Sequence, residues 1–178
     1  MKEFVKGQRI KLADLTSVTT IEVSIKINFT NLKTLDYSCF GVDTNNQLSD
    51  DRYFIFYNQK QSPDGSLKLL SSNVGGIERF RIALSLLPQN ICKLVFTAAL
   101  DDEGTMSEIK QGYLCLSSND KEMAKFHFNG LDFSTEKAII LAELYFKEEW
   151  RFSAVGQGFS GGLRELLKHF GGEEESDS

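Results

Sequence analysis

An all-β domain is the fold this sequence predicts: an antiparallel β-sandwich of two sheets, closed by one short C-terminal helix. Three observations carry the prediction. Ile21, Val23, Ile25, Ile27 and Phe29 alternate with Glu22, Ser24, Lys26 and Asn28, the period of a strand with one buried face. Turn signals recur at close intervals along the rest of the chain, the spacing of a sandwich built from short strands. Leu163, Leu166, Leu167 and Phe170 then recur at helical spacing, with Gly171 placed to end the helix.

The other elements follow in order. Residues 35–42 form a strand, and Thr44-Asn45-Asn46 supplies a turn because asparagine tolerates left-handed backbone angles. Residues 52–57 return as its partner, so 35–57 reads as a hairpin. Ser62-Pro63-Asp64-Gly65 is a turn, residues 67–70 are a short strand, and 71–76 a small flexible loop. Phe80, Ile82 and Leu84 alternate with Arg79, Arg81 and Ala83. Leu87-Pro88-Gln89-Asn90 interrupts as a short helical turn before Leu94, Phe96 and Ala98 resume the β pattern. Residues 111–116 and 121–128 pair around Ser117-Ser118-Asn119-Asp120. Residues 138–146 suit a helix by their Ala, Leu and Glu, and a fully buried strand by Ile139, Ile140, Leu141, Leu144, Tyr145 and Phe146. Residues 150–155 are β. The sum is eight to ten strands, with no βαβ alternation, repeat or linker.

Composition narrows the function. Of 178 residues, 41% are hydrophobic, 14 are Phe and only two are Pro, which favours a packed β-rich domain over a disordered chain. Glu173, Glu174, Glu175 and Asp177 supply four of the five net negative charges and leave the body near −1. That balance excludes a general nucleic-acid surface and binding to anionic membranes. Residues 1–172 are expected to form the domain and 173–178 a solvated, disordered acidic tail. No apolar run approaches the ~20 residues that span a bilayer, and residues 1–14 have no apolar signal core, so a cytoplasmic location without membrane insertion is expected. Cys39, Cys92 and Cys115 are odd in number and set among apolar or β-prone neighbours, the pattern of buried free thiols.

Several motifs suggest chemistry and fail on context. Gly156-Gln157-Gly158-Phe159-Ser160-Gly161 fits G-x-G-x-x-G, but no later strand or ribose-binding acid follows it. The glycines are expected to turn the backbone sharply and pack it on the terminal helix. Gly158-Phe159-Ser160-Gly161-Gly162 fits the nucleophile elbow G-x-S-x-G. Its remaining partners, Glu165 and His169, lie four apart on one short helix and cannot also surround Ser160. His127 sits on a strand with no second His or Cys at metal spacing.

The constellation that survives is acidic. Asp36 opens a strand, Asp43, Asn45 and Gln47 alternate through the hairpin turn, and Asp50 and Asp51 follow. Calcium takes six to eight oxygens from carboxylates, amides, carbonyls and water, and this stretch offers several. The glycine and distal Glu of an EF-hand are absent. Asp101-Asp102-Glu103 is a second, weaker acidic turn.

Two signatures carry a family resemblance. One is Ser49-Asp50-Asp51-Arg52-Tyr53-Phe54-Ile55-Phe56-Tyr57-Asn58-Gln59, followed by Ser62-Pro63-Asp64-Gly65-Ser66. The other is Trp150-Arg151-Phe152-Ser153-Ala154-Val155-Gly156-Gln157-Gly158-Phe159-Ser160-Gly161-Gly162. With Leu35-Asp36-Tyr37-Ser38-Cys39-Phe40-Gly41, Leu87-Pro88, Leu94-Val95-Phe96-Thr97 and Glu143-Leu144-Tyr145 in order, the chain resembles the tellurium-resistance and stress-response TerD family. The Ser-Asp-Asp-Arg-Tyr wording and the ending Phe170-Gly171-Gly172 resemble its TerA-like branch most. The resemblance implies a cytoplasmic two-sheet sandwich, calcium binding in TerD-like members, and no enzymatic role.

Two departures weaken the implied site. The calcium-binding members carry Asp-Leu-Asp where this chain reads Thr34-Leu35-Asp36. Their long acidic loop matches Ser71-Ser72-Asn73-Val74-Gly75-Gly76-Ile77-Glu78, which is short and nearly uncharged. Asp36 and Asn73, with Asp50 and Asp51, are the ligands that carry over, and loss of carboxylates lowers affinity steeply. The reading is a non-catalytic stress-response module that works through protein partners: other stress-response proteins, with a membrane-associated complex among them. Its cation site, at Asp36, Asp43, Asp50, Asp51 and Asn73, is expected to hold calcium weakly or not at all. The competing reading is a calcium sensor using those same five residues. Trp150 and the Phe54/Phe56 strand are assigned to structure.

Overall fold

The computed structural model describes residues 1–70, 76–101 and 103–172. Among them, twelve strands form two six-stranded sheets. Sheet I takes β1 (Lys2–Phe4), β10 (Lys121–Phe128), β9 (Ile109–Ser118), β3 (Thr20–Phe29), β7 (Glu78–Ala83) and β6 (Leu67–Leu70), in that spatial order. Sheet II takes β2 (Arg9–Lys11), β12 (Glu149–Phe159), β11 (Ala138–Lys147), β8 (Lys93–Leu100), β4 (Leu35–Val42) and β5 (Phe54–Ile55). All pairings are antiparallel except that of β1 with β10, which is parallel.

The main core lies between the sheets. The apolar face of β3 (Ile21, Val23, Ile25 and Ile27) meets Cys39, Leu94, Phe96, Ala98, Leu141 and Phe152 of sheet II. Phe80 and Phe96 meet edge-on across the gap, with ring centroids 5.6 Å apart. A second core lies on the outer face of sheet II, under helix α1 (Leu163–His169). There Leu166 and Phe170 pack on Phe40, Val42, Phe54, Val95, Ala99, Ala138 and Ile140. Burying side chains of this size contributes about 2 kcal/mol each, which is what holds so short a helix. Gly171, at φ +76°, ends it as expected.

The second core settles the ambiguity at 138–146. The run Ile139-Ile140-Leu141 is continuous because β11 is covered on both faces, by the main core on one and α1 on the other. Asn119 and Asp120, both at positive φ, make the two-residue turn between β9 and β10.

Four expectations are corrected. Residues 52–57 give only the two-residue β5, because Asp50 caps a 3-10 turn over Asp51–Tyr53 first. The 3-10 turn forms earlier than expected, at Leu84–Leu86, and 87–90 keeps a single hydrogen-bonded turn in which the Ile91 N–H donates to the Pro88 carbonyl at 3.0 Å. The glycine run at 156–161 is largely strand: β12 continues to Phe159, and Gly156, at φ +62°, sits in a bulge where two residues oppose Leu141. A Cβ there would stand 2.7 Å from the Phe126 ring. β1 and β2, each three residues and rich in charge, complete the strand count beyond ten. The loop expected at 71–76 lies outside the described residues except for Gly76.

Candidate functional site

Asp36 opens β4 on the outer face of sheet II, opposite Ala99 of β8. It is half-buried, and burial together with the nearby charge of Asp101 raises its carboxyl above the ordinary aspartate value. The Asp101 N–H donates to the Thr34 carbonyl at 3.0 Å, which fixes the approach of the two carboxylates. Lys33 already supplies a cation to this end of the sandwich. Its ammonium lies 2.8 Å from the Glu103 carbonyl oxygen and 3.7 Å from Glu108 Oε1. Asn73 lies outside the described residues, as does Asp102.

The other predicted ligands stand elsewhere. Asp36 and Asp43 flank β4 at opposite ends, about 23 Å apart along an extended strand. Asp43 Oδ1 accepts the N–H groups of Asn45 (2.8 Å) and Gln47 (3.0 Å) and so builds the turn in which Asn46 takes φ +61°. Asp50 accepts the Arg52 backbone N–H at 3.0 Å and its guanidinium Nε and Nη2, at 3.0 and 2.7 Å. Those hydrogen bonds hold its carboxyl below the usual range. Asp51 is exposed, and its carbonyl takes a 2.8 Å bond from the Gln59 amide. Two of the five candidates therefore serve as local caps, and Asp36 is the one raised by the charge of another acid. Among the described residues no three His, Cys, Asp or Glu side chains gather as a metal would need.

Sequence reasoning underrated two residues. Asp101 was legible as acidic, but its approach to Asp36 comes from β4–β8 pairing. Asp64 was legible only as a turn residue. Its carboxylate accepts Tyr53 Oη (2.7 Å), Ser62 Oγ (2.9 Å), Ser66 N (2.9 Å) and Ser66 Oγ (2.6 Å), tying the Asp51–Tyr53 turn to the start of β6.

The hydrolase motif has no relay. Ser160 is exposed, and the His169 ring packs edge-on against Phe159 (5.3 Å) and Phe170 (4.9 Å). His127 is exposed and stands 3.4 Å from Glu3. All three cysteines are free, but only Cys39 and Cys115 are buried, because Cys92 precedes β8 rather than lying inside it. Burial raises the Cys39 thiol. Burial, aided by a 3.0 Å hydrogen bond to Glu122, pushes Cys115 up to about 12. A thiol-reactive dye at neutral pH should therefore label one cysteine, Cys92, in the native protein and all three in denaturant. Fast native labelling of Cys39 or Cys115 would contradict this burial.

A TerD domain profile matches residues 1–170. "Chemical-damaging agent resistance protein B" of Clostridium acetobutylicum is 38% identical over 136 residues, 70% of this chain and 97% of that one. Tellurium resistance protein TerD of Serratia marcescens is 32% identical over 149 residues, 77% of each chain. Tellurium resistance protein TerA of Alcaligenes sp. is 29% identical over 118 residues, 66% of this chain and 34% of that one. The crystal structure of a TerD homologue from Streptomyces coelicolor A3(2) superposes with a TM-score of 0.63 at 16% identity, covering 85% of this chain and 95% of that one. With the sandwich and its signature blocks in place, this chain belongs to the TerD domain family.

Proposed function

We propose that this protein is a non-catalytic cytoplasmic stress-response module that acts through protein partners and carries a weak or vestigial cation site. One observation carries the reading: Asp43 and Asp50 are engaged by their own turns and Asp51 is exposed, which leaves Asp36, near the charge of Asp101, as the half-buried acid. Among the described residues, two carboxylates fall well short of the six to eight oxygens calcium takes, and Lys33 competes for the same end. The names of the relatives, which refer to resistance, support the stress role. No helix among the described residues is long and apolar enough to cross a membrane. Other stress-response proteins, including membrane-associated ones, are the partners this reading expects.

Calorimetry with calcium on the metal-stripped protein tests it. The expected result is no site at micromolar affinity or tighter. Equally, an Asp36→Asn variant should restore tellurite survival to a strain lacking the gene as fully as the parent does. The second reading, a calcium sensor, draws on the same Asp36–Asp101 approach, because a cation would relieve their repulsion. A micromolar site, with a melting temperature that rises with calcium and falls back in Asp36→Asn, would replace the first reading with the second.

A further inference from the structure

Helix α1 lies in a groove fitted to its own stripe. Leu166 and Phe170 are buried and Leu163 and Leu167 half-buried, while Arg164, Glu165, Lys168 and His169 are exposed. The i, i+3, i+4, i+7 spacing puts the four apolar side chains on one face. The floor they meet is Phe40, Val95, Ala99, Ala138 and Ile140. An apolar groove that takes a helix by such anchors is a common way for one protein to grip another. Here both halves of the match belong to one chain.

The hold of α1 on this groove is slight. Its 7 residues span about 10 Å, and a helix so short is marginal in water without its packing. Gly162, at its start, has no side chain to cap the first turn. Nor do sterics impose that glycine. Its φ of −91° suits any residue, and the nearest atom to an added Cβ is the Leu100 carbonyl oxygen, 3.8 Å away. A glycine with room for a side chain adds backbone freedom at the point where β12 hands over to α1.

The apolar floor also runs on past the helix. The Phe170 and Phe40 ring centres lie 4.8 Å apart, Phe40 stacks on Phe54 at 4.7 Å, and Phe54 stacks on Phe56 at 4.3 Å. Phe56 then meets Tyr57 edge-on at 5.1 Å. Phe170 and Phe40 are buried, whereas Tyr57 is 64% exposed. This aromatic ladder therefore starts beneath α1 and ends in solvent. An incoming helix that keeps the α1 stripe and adds a side chain over Tyr57 buries area that α1 leaves open. It needs that gain, because a tethered helix competes at an effective concentration on the order of millimolar.

We propose, resting on the reading that the protein acts through protein partners, that α1 is an internal stand-in for an amphipathic helix those partners present. The partner helix displaces α1 and packs on Phe40, Val95 and Ile140 with apolar residues at the same i, i+3, i+4 and i+7 positions. While α1 fills the groove, the partner's apparent affinity is lowered in proportion to the fraction of molecules that are open. Weakening α1 raises it and leaves the floor unchanged.

A fluorescein-labelled peptide of residues 160–172 serves as the probe, with the full chain as receptor and polarisation as the readout. The parent should bind it weakly. The full chain with Leu166→Ala and Phe170→Ala should bind it at least about tenfold tighter, because its own helix no longer holds the floor. A peptide carrying the same two substitutions should bind neither chain. Circular dichroism checks that the variant keeps its sheets; should it lose them, hydrogen exchange on the parent decides. There the amides of Leu166 and Phe170, which donate to the Gly162 and Leu166 carbonyls, should exchange at least about a hundredfold faster than that of Phe96 in β8. Equal binding by parent and folded variant, binding of the substituted peptide, or α1 amides as slow as that of Phe96 would overturn the proposal. The calcium titration above tests the wider reading without involving this groove, so the two fail separately.

Discussion

The Gly130→Ala variant is expected to lose about 3 kcal/mol of stability. Gly130 opens a 3-10 turn over Gly130–Asp132, in which Asn129 Oδ1 accepts the Leu131 N–H at 2.8 Å and Asp132 accepts the Asn129 N–H at 2.9 Å. That turn presses against the one at Met106–Glu108. A Cβ on Gly130 would overlap the Ser107 carbonyl oxygen and stand 2.7 Å from that of Ile109. Both obstacles are backbone, so no rotamer change removes them. Either the two turns separate and uncover Met106 and Phe133, both now buried, or the start of β9 shifts against Phe29. A domain of this size moves its Tm by roughly 2–4 °C per kcal/mol, so thermal melting followed by circular dichroism resolves the loss. An unchanged melt would mean that the two turns do not support each other.

Asp64→Ala should cost a comparable amount, about 2–3 kcal/mol. The substitution strips four donors of one acceptor, and three belong to side chains with almost no access to water: Tyr53 at 5%, Ser62 at 1% and Ser66 at 0% exposure. Ser62 and Ser66 keep each other at 3.2 Å, while Tyr53 Oη is left unpaired. Asp64 also makes stability depend on acid. Desolvation pushes its carboxyl up, but the hydroxyls and amide of Ser66, Tyr53 and Ser62 outweigh it and hold the group at about 2. An unfolded aspartate titrates near 3.9. The stabilisation is therefore complete above about pH 4 and is lost as pH falls from there towards 2. Urea midpoints across that window should fall more steeply for the parent than for Asp64→Asn. Parallel curves would show that the carboxylate charge contributes nothing.

The legibility of this fold varied with what each segment touches. β3 was plain because one face meets the core and the other water, so its alternation is complete. β11 was not, because α1 covers its second face and removes the polar positions that would have marked the period. β1 and β2 escaped because Lys, Glu and Arg on three-residue edge strands look like a polar leader. The acids of the candidate site were easy to find and hard to interpret. A carboxylate that caps its own turn, like Asp43, and one raised by another acid's charge, like Asp36, are the same letter. What separates them is the donor each meets, and for Asp36 that neighbour lies sixty-five positions away at Asp101.

The first eleven residues also bear on how the domain is made. They seal one margin of both sheets, yet Lys2 aligns with Ala124 and Lys11 with Arg151. A nascent chain makes this clasp long before its mates, and it must wait for them until translation has passed Phe159. Closing loops that long is slow. Ribosomes halted short of Phe159 would thus release half-zipped sandwiches with raw borders. This domain is built to mature only after β12 has been made.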